Sequence, residues 1–434
     1  MATDPMPQFP PGFLWGVSTS AHQIEGAADE RGPSVWDVFS AEPGRIKDGS
    51  TAAVACDHYH RYREDIALVA GLGVNAYRFS VSWPRAASPG GLGFYDRLVD
   101  ELCAAGIRPV VTLYHWDLPA DLDWLKRDTA SRFAEHVGTV AARLGDRVGH
   151  WITLNEPAEH TLLGHALGVH APGKQLLFDA LPAAHHQLLA HGLAVSALRA
   201  AGAGQVGIAN SHGPTWPASD DPADQEAAAF YDLLLNRLFA EPVLLGAYPQ
   251  GLGDLMPGDP QADLETIGAP LDFYGVNYYA PTRVGAPQGA ASEFGGVRVP
   301  DGLPFSLREI DGYPLTDFGW PVVPHGLTDL LTGFRRRYGD RLPPVIITEN
   351  GCAYDGLDDQ HRIAFHDGHL RALHRAIEAG VDVRGYFVWS LLDNFEWAEG
   401  YARRFGLVHV DFATQQRTPK ASYTWLRETL RAQL

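Results

Sequence analysis

Two glutamates stand at the ends of short apolar runs, and they are the first residues to consider for chemistry. In the segment 150–157, four strand-forming residues precede Asn155 and Glu156. The proline that follows cannot donate to a sheet and biases Glu156 away from the helical conformation, so a strand should end there. The segment 345–351 repeats the pattern, with Glu349 in front of an Asn-Gly turn. The sequence therefore predicts two carboxylates, each at the end of a strand.

These glutamates would meet in a closed parallel barrel, because active sites of such barrels lie at the carboxyl ends of the strands. Apolar runs alternate with amphipathic stretches, a pattern typical of parallel sheets with helical crossovers. Eight such units favour a barrel over an open doubly wound sheet, whose glycine-rich nucleotide motifs are absent. We predict the α/β class: a single (β/α)8 TIM barrel with extended loops at the C-terminal face, with residues 1–434 as one catalytic domain.

The predicted elements follow from this alternation. Strands are predicted over residues 13–18, 76–81, 108–114, 150–156, 205–210, 272–279, 344–349 and 385–391. Helices are predicted over residues 59–70, 94–105, 131–144, 181–200 and 362–379, with end signals at Gly71, Gly106, Gly145 and Gly380. The segment 285–314 is rich in glycine and proline, and we interpret it as a long loop at the carboxyl face.

The amino-acid composition and charge restrict the kinds of binding partner that this protein can have. The net charge of −18 argues against nucleic acid or an anionic membrane as the main partner. No signal peptide and no membrane-spanning stretch is visible. The three cysteines are scattered and form no C-x-x-C motif, which favours reduced, mostly buried thiols in a cytoplasmic protein. The oligomeric state is left open.

Seven of the eight predicted strands lead into polar or aromatic side chains. A pocket with two carboxylates, amides, one arginine and several tryptophans, without a cofactor motif, suits glycoside hydrolysis. Tryptophan rings stack on the apolar faces of sugars, and polar groups bind the hydroxyls. The strand-end residues are Gln23, Glu25, Arg78, His115, Trp116, Asp117, Asn155, Glu156, Asn277, Tyr278, Tyr279, Glu349, Trp389, Asp393, Glu396 and Trp397.

The two carboxylates require different protonation states in a retaining mechanism. One must be ionised to act as nucleophile, and the other must carry a proton to act as acid. Arg78 and Tyr279 are the candidates to keep Glu349 ionised. Because Glu156 would lie near that negative charge, its proton affinity should be raised, and it could serve as acid and then as base.

The same residues carry a resemblance to the family-one glycoside hydrolases, the β-glucosidase family, over nearly the whole chain. The resemblance implies that Glu156 is the acid/base, that Glu349 is the nucleophile, and that Arg78 and Tyr279 steer Glu349. It also implies that Gln23, His115, Asn155, Asn277 and Glu396 bind hydroxyls of the sugar, that Trp389 forms its floor, and that Trp397 and Phe405 close its side. The matching motifs are Gln23-Ile-Glu-Gly26, Tyr77-Arg-Phe-Ser80, His115-Trp-Asp-Leu-Pro119, Thr153-Leu-Asn-Glu-Pro157, Asn277-Tyr-Tyr279, Thr348-Glu-Asn-Gly351 and Trp389-Ser-Leu-Leu-Asp-Asn-Phe-Glu-Trp397.

Departures from the family pattern fall in four places. His22 stands where an aromatic residue is usual, and Ala158 stands where tryptophan is common. The segments 84–94 and 118–125 are shorter than the family's loops. We expect all four at the rim and on the aglycone side, so the leaving-group preference stays open.

Other interpretations were weighed. Asp57-His-Tyr-His60 resembles a metal motif, but no further ligands complete it, so structural or capping roles are favoured and no metal or cofactor is expected. We interpret His170, His185 and His186 as structural and Cys352 as a packing residue. A non-catalytic sugar-binding protein would have lost one carboxylate. A 6-phospho-β-glucosidase would need a cation where Glu396 stands.

The predicted function is therefore a retaining β-glucosidase acting on β-glucosides or short β-linked oligosaccharides. Transglycosylation stays open, because it differs from hydrolysis only in what attacks the glycosyl-enzyme. Preference among glucosides, galactosides and fucosides also stays open.

Overall fold

The computed structural model describes residues 5–294 and 297–433. Eight parallel strands close into a barrel, and their order around it is β1-β8-β7-β6-β5-β4-β3-β2. This confirms the predicted (β/α)8 architecture. The strands are β1 (Leu14–Ser18), β2 (Ala76–Ser80), β3 (Arg108–Thr112), β4 (His150–Asn155), β5 (Gln205–Ser211), β6 (Phe273–Asn277), β7 (Val345–Asn350) and β8 (Val383–Trp389).

The barrel interior is a packed apolar core. Every strand contributes one side chain to a single buried cluster, which fills the space as expected for a small barrel. A larger cluster fills the layer between the strands and the surrounding helices. The eight side chains of the interior cluster are Leu14, Ala76, Val110, Ile152, Ala209, Phe273, Ile346 and Phe387.

The predicted crossover helices are all present. The helix Leu181–Ala200 has the predicted bounds, and the other four lie within three residues of theirs: His58–Leu72, Gly91–Ala104, Asp128–Leu144 and Gln360–Glu378. The end signal at Gly71 is wrong, because this residue lies inside its helix and Gly73 has the left-handed terminal conformation, with φ of 84°. Gly106 and Gly380 follow their helices with φ of 74° and 88°. Gly145 ends its helix in the right-handed conformation.

Further helices complete the outer layer and the loops. α-Helices span Ala21–Ile24, Val35–Ser40, Trp83–Ala87, Pro157–Glu159, Pro222–Asp232, Leu238–Leu245, Pro260–Ile267, Pro324–Tyr338 and Ala421–Arg431. Single turns of 3-10 helix span Ala28–Glu30, Leu177–Ala180, Gly253–Leu255, Gly339–Arg341 and Trp397–Glu399. Two π-helical segments, His160–Ala166 and Leu233–Arg237, continue the chain after Pro157–Glu159 and Pro222–Asp232. None of the helices in the described ranges is long and apolar enough to cross a membrane.

The segment 285–314 is not the structureless loop that its composition suggests. Ser292–Phe294 pairs with Val297–Val299, and Ser306–Arg308 pairs with Thr282–Gly285, all antiparallel. The apolar side chains of this region pack on the helix Pro222–Asp232 and form a small core of their own. Strands of three residues are too short to show alternation in a glycine-rich sequence, which explains the missed strands. The remaining strands are Thr215–Pro217, parallel to Thr282–Gly285, and the hairpin Val408–Asp411 with Gln416–Pro419.

A stability test follows from the packing of β1 on β8. A Cβ atom on Gly16 would lie 2.2 Å from ring carbons of Phe387. Gly16→Ala should therefore lower the free energy of unfolding by about 1–3 kcal/mol through overpacking. Thermal and urea unfolding followed by circular dichroism measures the loss. Gly138→Ala is the matched control, because that helical glycine has open space and alanine favours helices.

The loss should shrink when Phe387→Leu is combined with Gly16→Ala, because the smaller side chain leaves room for the methyl group. If the two losses simply add, the contact with the Phe387 ring is not the cause.

Candidate active site

A main cavity of about 600 Å³ opens at the carboxyl ends of the barrel strands. A volume of this size is typical of small-molecule sites. Nine of the predicted site residues line it: His115, Trp116, Glu156, Tyr279, Glu349, Trp389, Glu396, Trp397 and Phe405. The other four, Gln23, Arg78, Asn155 and Asn277, are buried and form hydrogen bonds to lining residues.

Glu349 is held by two donors. The Arg78 guanidinium lies 2.6 Å from one carboxyl oxygen, and the Tyr279 hydroxyl lies 2.7 Å from the other. Arg78 is only 1% exposed and Glu349 only 2%. Burial among negative charges holds the pKa of Tyr279 well above its ordinary value, so this hydroxyl stays a donor. Both oxygens of Glu349 thus face donors, an arrangement that suits a carboxylate.

Two amides connect this ion pair to Glu156. Arg78 donates to the side-chain oxygen of Asn155 at 2.6 Å, and the Asn277 amide donates to that oxygen at 3.0 Å. The same Asn277 amide nitrogen donates to a carboxyl oxygen of Glu156 at 2.8 Å. The two glutamates are therefore fixed relative to each other through Arg78 and the two amides.

Glu156 itself has an unusual backbone. Its φ and ψ are 48° and 57°, so it avoids the right-handed helical region, as the following proline predicts, but adopts the left-handed one rather than an extended conformation. Two other lining residues, Trp116 and Trp397, also have positive φ, of 75° and 49°. Such conformations cost free energy for residues other than glycine and concentrate at functional sites.

The protonation of Glu156 is set by its surroundings. Burial is the largest cause that raises the pKa of Glu156 well above its ordinary value, and the charges of Glu349 and Glu159 raise it further. The amide of Asn277 and the charge of Arg78 act in the opposite direction but do not cancel the rise. The predicted direction of the shift is confirmed, although burial contributes more than the neighbouring charge.

His115 is neutral and its tautomer is defined. Burial, helped by the charge of Arg78, holds the pKa of His115 well below its ordinary value. Because the side-chain oxygen of Asn155 already accepts two hydrogen bonds, its amide nitrogen points to Nε2 of His115, at 3.1 Å. Nε2 therefore accepts, the proton sits on Nδ1, and no group in the described part of the chain pairs with Nδ1.

Glu396 also lines the main cavity. Burial, and then the charges of Glu349 and Glu399, raises the pKa of Glu396 to about 8. The amide of Gln23 reaches it at 3.4 Å and also donates to the Phe395 carbonyl at 3.0 Å. Glu396 therefore carries a proton through much of the neutral range, so it can donate as well as accept.

Aromatic rings form the walls. Trp389 lies nearly parallel to His115, with ring centres 5.7 Å apart. Trp397 packs on Trp116 at 4.6 Å. Phe405 belongs to the same cluster as Trp389 and packs on Tyr279, Phe318 and Trp320 at 6.3, 6.1 and 6.1 Å.

The prediction that the four departures from the family pattern lie at the rim of the pocket is wrong for most of them. His22 is 5% exposed and lies behind Trp397, parallel to it at 5.9 Å, so it supports the wall and is not at the rim. None of the described residues in 84–94 or 118–125 lines the main cavity. Linear sequence could not show such packing: Trp124, for example, is fully buried and contacts Phe133 of the helix Asp128–Leu144. Ala158 is buried, beside an adjoining apolar cavity.

Several lining residues were missed. Glu159, Ser211 and Asn236 form a polar side of the main cavity, and Phe318 and Trp320 form an aromatic one. Burial raises the pKa of Glu159, while its bond to the Ser211 hydroxyl lowers it. Its position could have identified Glu159 as a lining residue, because it stands three residues after Glu156, one helical turn away. Ser211 is the last residue of β5 and His212 follows it, at the one strand end for which no polar site residue is predicted.

The remaining histidines and cysteines have varied surroundings. His58 bonds to Asp65 at 2.8 Å, and His60 bonds to Asp57 at 2.6 Å. His185 and His186 are buried, as expected of structural residues. His170, also taken as structural, packs on Trp116 and lines the main cavity. Cys352 is buried, and burial raises the pKa of its thiol to about 12, as fits a packing residue.

Comparison with known proteins agrees with this geometry. The sequence profile described as Glycosyl hydrolase family 1 matches residues 6–433. A thermostable beta-glucosidase B from Thermobispora bispora is 47% identical, over 98% of this chain and 90% of that protein. The beta-glucosidase from Thermotoga maritima in complex with deoxynojirimycin has a TM-score of 0.92 at 41% identity, covering 98% of this chain and 99% of that one. A psychrophilic beta-glucosidase from Micrococcus antarcticus has a TM-score of 0.92 at 45% identity, covering 98% of both chains. The chain belongs to glycosyl hydrolase family 1.

Proposed function

We propose that this protein is a retaining β-glucosidase that removes terminal non-reducing β-D-glucosyl residues from β-glucosides or short β-linked oligosaccharides. The observation that carries the proposal is the pair of unlike carboxyl groups in one cavity. Glu349 accepts from Arg78 and Tyr279, while the pKa of the buried Glu156 is raised well above its ordinary value. One group is thus prepared to attack and the other to give a proton. The whole chain would act as one catalytic domain, without metal or cofactor.

In the first step, Glu349 attacks the anomeric carbon from the face opposite the leaving group. A bond forms between its carboxyl oxygen and that carbon, while the bond to the glycosidic oxygen breaks. Glu156 transfers its proton to this oxygen, and the aglycone leaves as an alcohol. The product is a covalent glycosyl-enzyme with an ester at Glu349.

In the second step, Glu156 acts as base. Ester formation removes the negative charge of Glu349, which is one of the causes that raise the pKa of Glu156. Glu156 can then exist as a carboxylate and take a proton from water. The water oxygen attacks the anomeric carbon, the ester bond breaks, and glucose with its original β configuration is released.

The sugar would lie between the aromatic walls, with Trp389 beneath it and Trp397 and Phe405 at its sides. Its hydroxyls would meet Gln23, His115, Asn155, Asn277 and Glu396. The neutral His115, with a proton on Nδ1, can donate to one hydroxyl, and the protonated Glu396 can both donate and accept.

The 6-phospho alternative is disfavoured by the charges near Glu396. Two cations, Lys47 and Arg403, do reach this region, but both pair with Glu399. A phosphate would therefore meet two carboxyl groups whose nearest cations are already engaged.

A non-catalytic binding role would not require the two unlike carboxyl groups. Transglycosylation would use the same glycosyl-enzyme with a sugar in place of water. Reduced cysteines are consistent with a proposed cytoplasmic location.

The glycone preference can be tested with matched substrates. p-Nitrophenyl β-D-glucoside should be hydrolysed well, and its 6-phosphate should be a much poorer substrate because Lys47 and Arg403, the cations near Glu396, already pair with Glu399. Steady-state kcat/KM for the glucoside, galactoside, fucoside and 6-phosphoglucoside gives the order. A higher value for the phosphorylated substrate would contradict the proposal.

The coupling between the glutamates can be tested by titration. In wild-type protein, kcat/KM should fall as the pH rises through the raised pKa of Glu156, because the acid is lost. Glu349→Gln removes one of the charges that raise this pKa, so the pKa should fall. It should remain above the ordinary carboxyl value, because burial persists. Carbon-13 NMR of labelled glutamate carboxyls measures it.

The control for this titration is Glu64→Gln, which changes an exposed glutamate on the outer helix His58–Leu72. It should leave the titration of Glu156 unchanged. An unchanged or higher pKa of Glu156 in the Glu349→Gln variant would refute the coupling.

The separate roles of the two glutamates can be tested by azide rescue. Glu349→Gly should lose turnover because no ester can form, and azide in the vacated space should give an α-glycosyl azide from an activated β-glucoside. Glu156→Ala should still form the ester with an activated leaving group, and azide, which needs no base, should then give the β-glycosyl azide.

Proton NMR of the two products distinguishes these outcomes. The opposite stereochemistry would exchange the roles of Glu156 and Glu349. Wild-type activity in both variants would place the reaction elsewhere in the protein.

A further inference from the structure

Asp393 and Lys420 form an ion pair outside the main cavity. The Lys420 ammonium lies 2.8 Å from one carboxyl oxygen of Asp393, and both side chains are 0% exposed. Neither residue lines the main cavity. The proposed reaction therefore gives this pair no direct part, although taking two charges out of water costs free energy.

Stability alone does not account for a buried ion pair. Replacing such a pair by apolar residues of similar volume is often neutral or stabilising, whereas losing one partner is strongly destabilising. A buried carboxylate does fix the groups that donate to it, because each donor must keep its position if the charge is to stay paired. The groups that Asp393 holds in place therefore indicate its role.

Asp393 lies in the segment that joins the floor of the proposed sugar site to its polar side. Trp389 stands four residues before it, and Glu396 stands three residues after it. Because β8 ends at Trp389, barrel pairing does not reach Glu396. Gln23 holds the segment on one side, since its amide donates to the side-chain oxygen of Asn394 at 3.1 Å. Asp393 holds the segment through its own side chain.

The carboxyl group of Asp393 also holds the segment that contains Phe405. The backbone N–H of Gly406 donates at 2.9 Å to the same oxygen that accepts from Lys420. A Cβ atom on Gly406 would lie 2.0 Å from the backbone nitrogen of Asp393, so the two segments approach as closely as glycine alone permits. One carboxyl group thus connects the segment of Glu396 to the segment of Phe405.

Lys420 is the partner of Asp393 that water cannot replace. The side chains of Arg404 and His409 lie 3.4 Å from the second carboxyl oxygen, but they are 22% and 30% exposed. Lys420 is fully buried, and among the described residues Asp393 is the one carboxyl group within ion-pair distance of its ammonium. Lys420 immediately precedes the helix Ala421–Arg431, so the C-terminal part of the chain supplies this contact.

We propose that Asp393 and Lys420 are positioning residues for the sugar, because their ion pair holds Glu396 and Phe405 in the places where these contact it. This inference rests on the proposed β-glucosidase activity. The two catalytic glutamates are held by a different set of hydrogen bonds. Loss of the ion pair should therefore weaken sugar binding more than it slows the chemical step.

Lys420→Met tests the inference, because it removes the charge and keeps a side chain of similar length. We expect KM for p-nitrophenyl β-D-glucoside to rise about five- to tenfold, the worth of one or two hydrogen bonds to the sugar. The Ki of D-glucose, which carries no aglycone, should rise by a similar factor. In contrast, kcat should stay close to that of the wild-type protein. The melting temperature should fall, because Asp393 loses its buried partner.

The double variant Asp393→Asn with Lys420→Met separates positioning from stability. It leaves no unpaired buried charge, so its melting temperature should recover toward that of the wild-type protein. KM and Ki should stay raised, because the ion pair is still missing. If Lys420→Met alone does not fold, the double variant provides the same kinetic comparison.

Arg417→Met is the matched control. Arg417 lies on the hairpin strand Gln416–Pro419, its side chain is 5% exposed, and it pairs at 2.9 Å with Asp65 of the outer helix His58–Leu72. This variant also loses a buried cation, so its melting temperature should fall. Its KM and Ki should equal those of the wild-type protein, because Asp65 holds no part of the sugar site.

The outcomes separate this inference from the proposed function. If the wild-type protein cleaves no β-glucoside, the proposed function fails. If it does, but KM and Ki in Lys420→Met and in the double variant match the wild-type values, the function stands and the positioning role is wrong. Recovery of KM together with stability in the double variant, an equal rise of KM in Arg417→Met, or a change in kcat alone would also overturn the inference.

Discussion

The hydrogen bonds of the buried Arg78 guanidinium are the interactions on which the site depends. From β2, this side chain donates to Thr112 of β3 at 3.1 Å, to Asn155 of β4 at 2.6 Å and to Glu349 of β7 at 2.6 Å. A cation that is 1% exposed is tolerated only when paired and fully hydrogen-bonded. Closure of the barrel supplies those partners from three other strands. The fold and the arrangement of the catalytic groups therefore depend on the same contacts.

The same buried network separates the two glutamates chemically. Glu349 accepts hydrogen bonds from the Arg78 guanidinium and the Tyr279 hydroxyl, whereas Glu156 accepts a hydrogen bond from the neutral amide of Asn277. Two like carboxyl groups in one cavity thus have different surroundings, and burial makes that difference large because charges interact strongly away from water. The charge of Glu159 further raises the pKa of Glu156, and the charge of Glu349 raises the pKa of Glu396. The division of roles is a property of the surroundings, since the two side chains are chemically identical.

The two halves of the main cavity are built differently. Residues at the ends of rigid strands and their buried partners form the sugar half, where Gln23, His115 and Asn277 are each 2% exposed or less. Residues outside the barrel form much of the other half, including the π-helical segments and the small sheet around Thr282–Gly285. Strand ends keep their positions because each strand is bonded on both sides. The outer segments carry fewer such constraints, so aglycone preference can vary on one scaffold.

Local sequence by itself determined the eight strands, the main helices and the residues at the strand ends, because burial and periodicity are properties of a few neighbouring residues. It also predicted that Arg78 and Tyr279 would bond to Glu349, although Arg78 is 271 positions away. Only the tertiary structure decided that Arg78, Asn155 and Asn277 connect Glu349 to Glu156, that His22 stacks on Trp397, and that Glu159 and Ser211 line the main cavity. The adjoining apolar cavity beside Ala158 was equally invisible, since its walls come from four separate segments. Such features depend on distances between remote residues, which no local pattern contains.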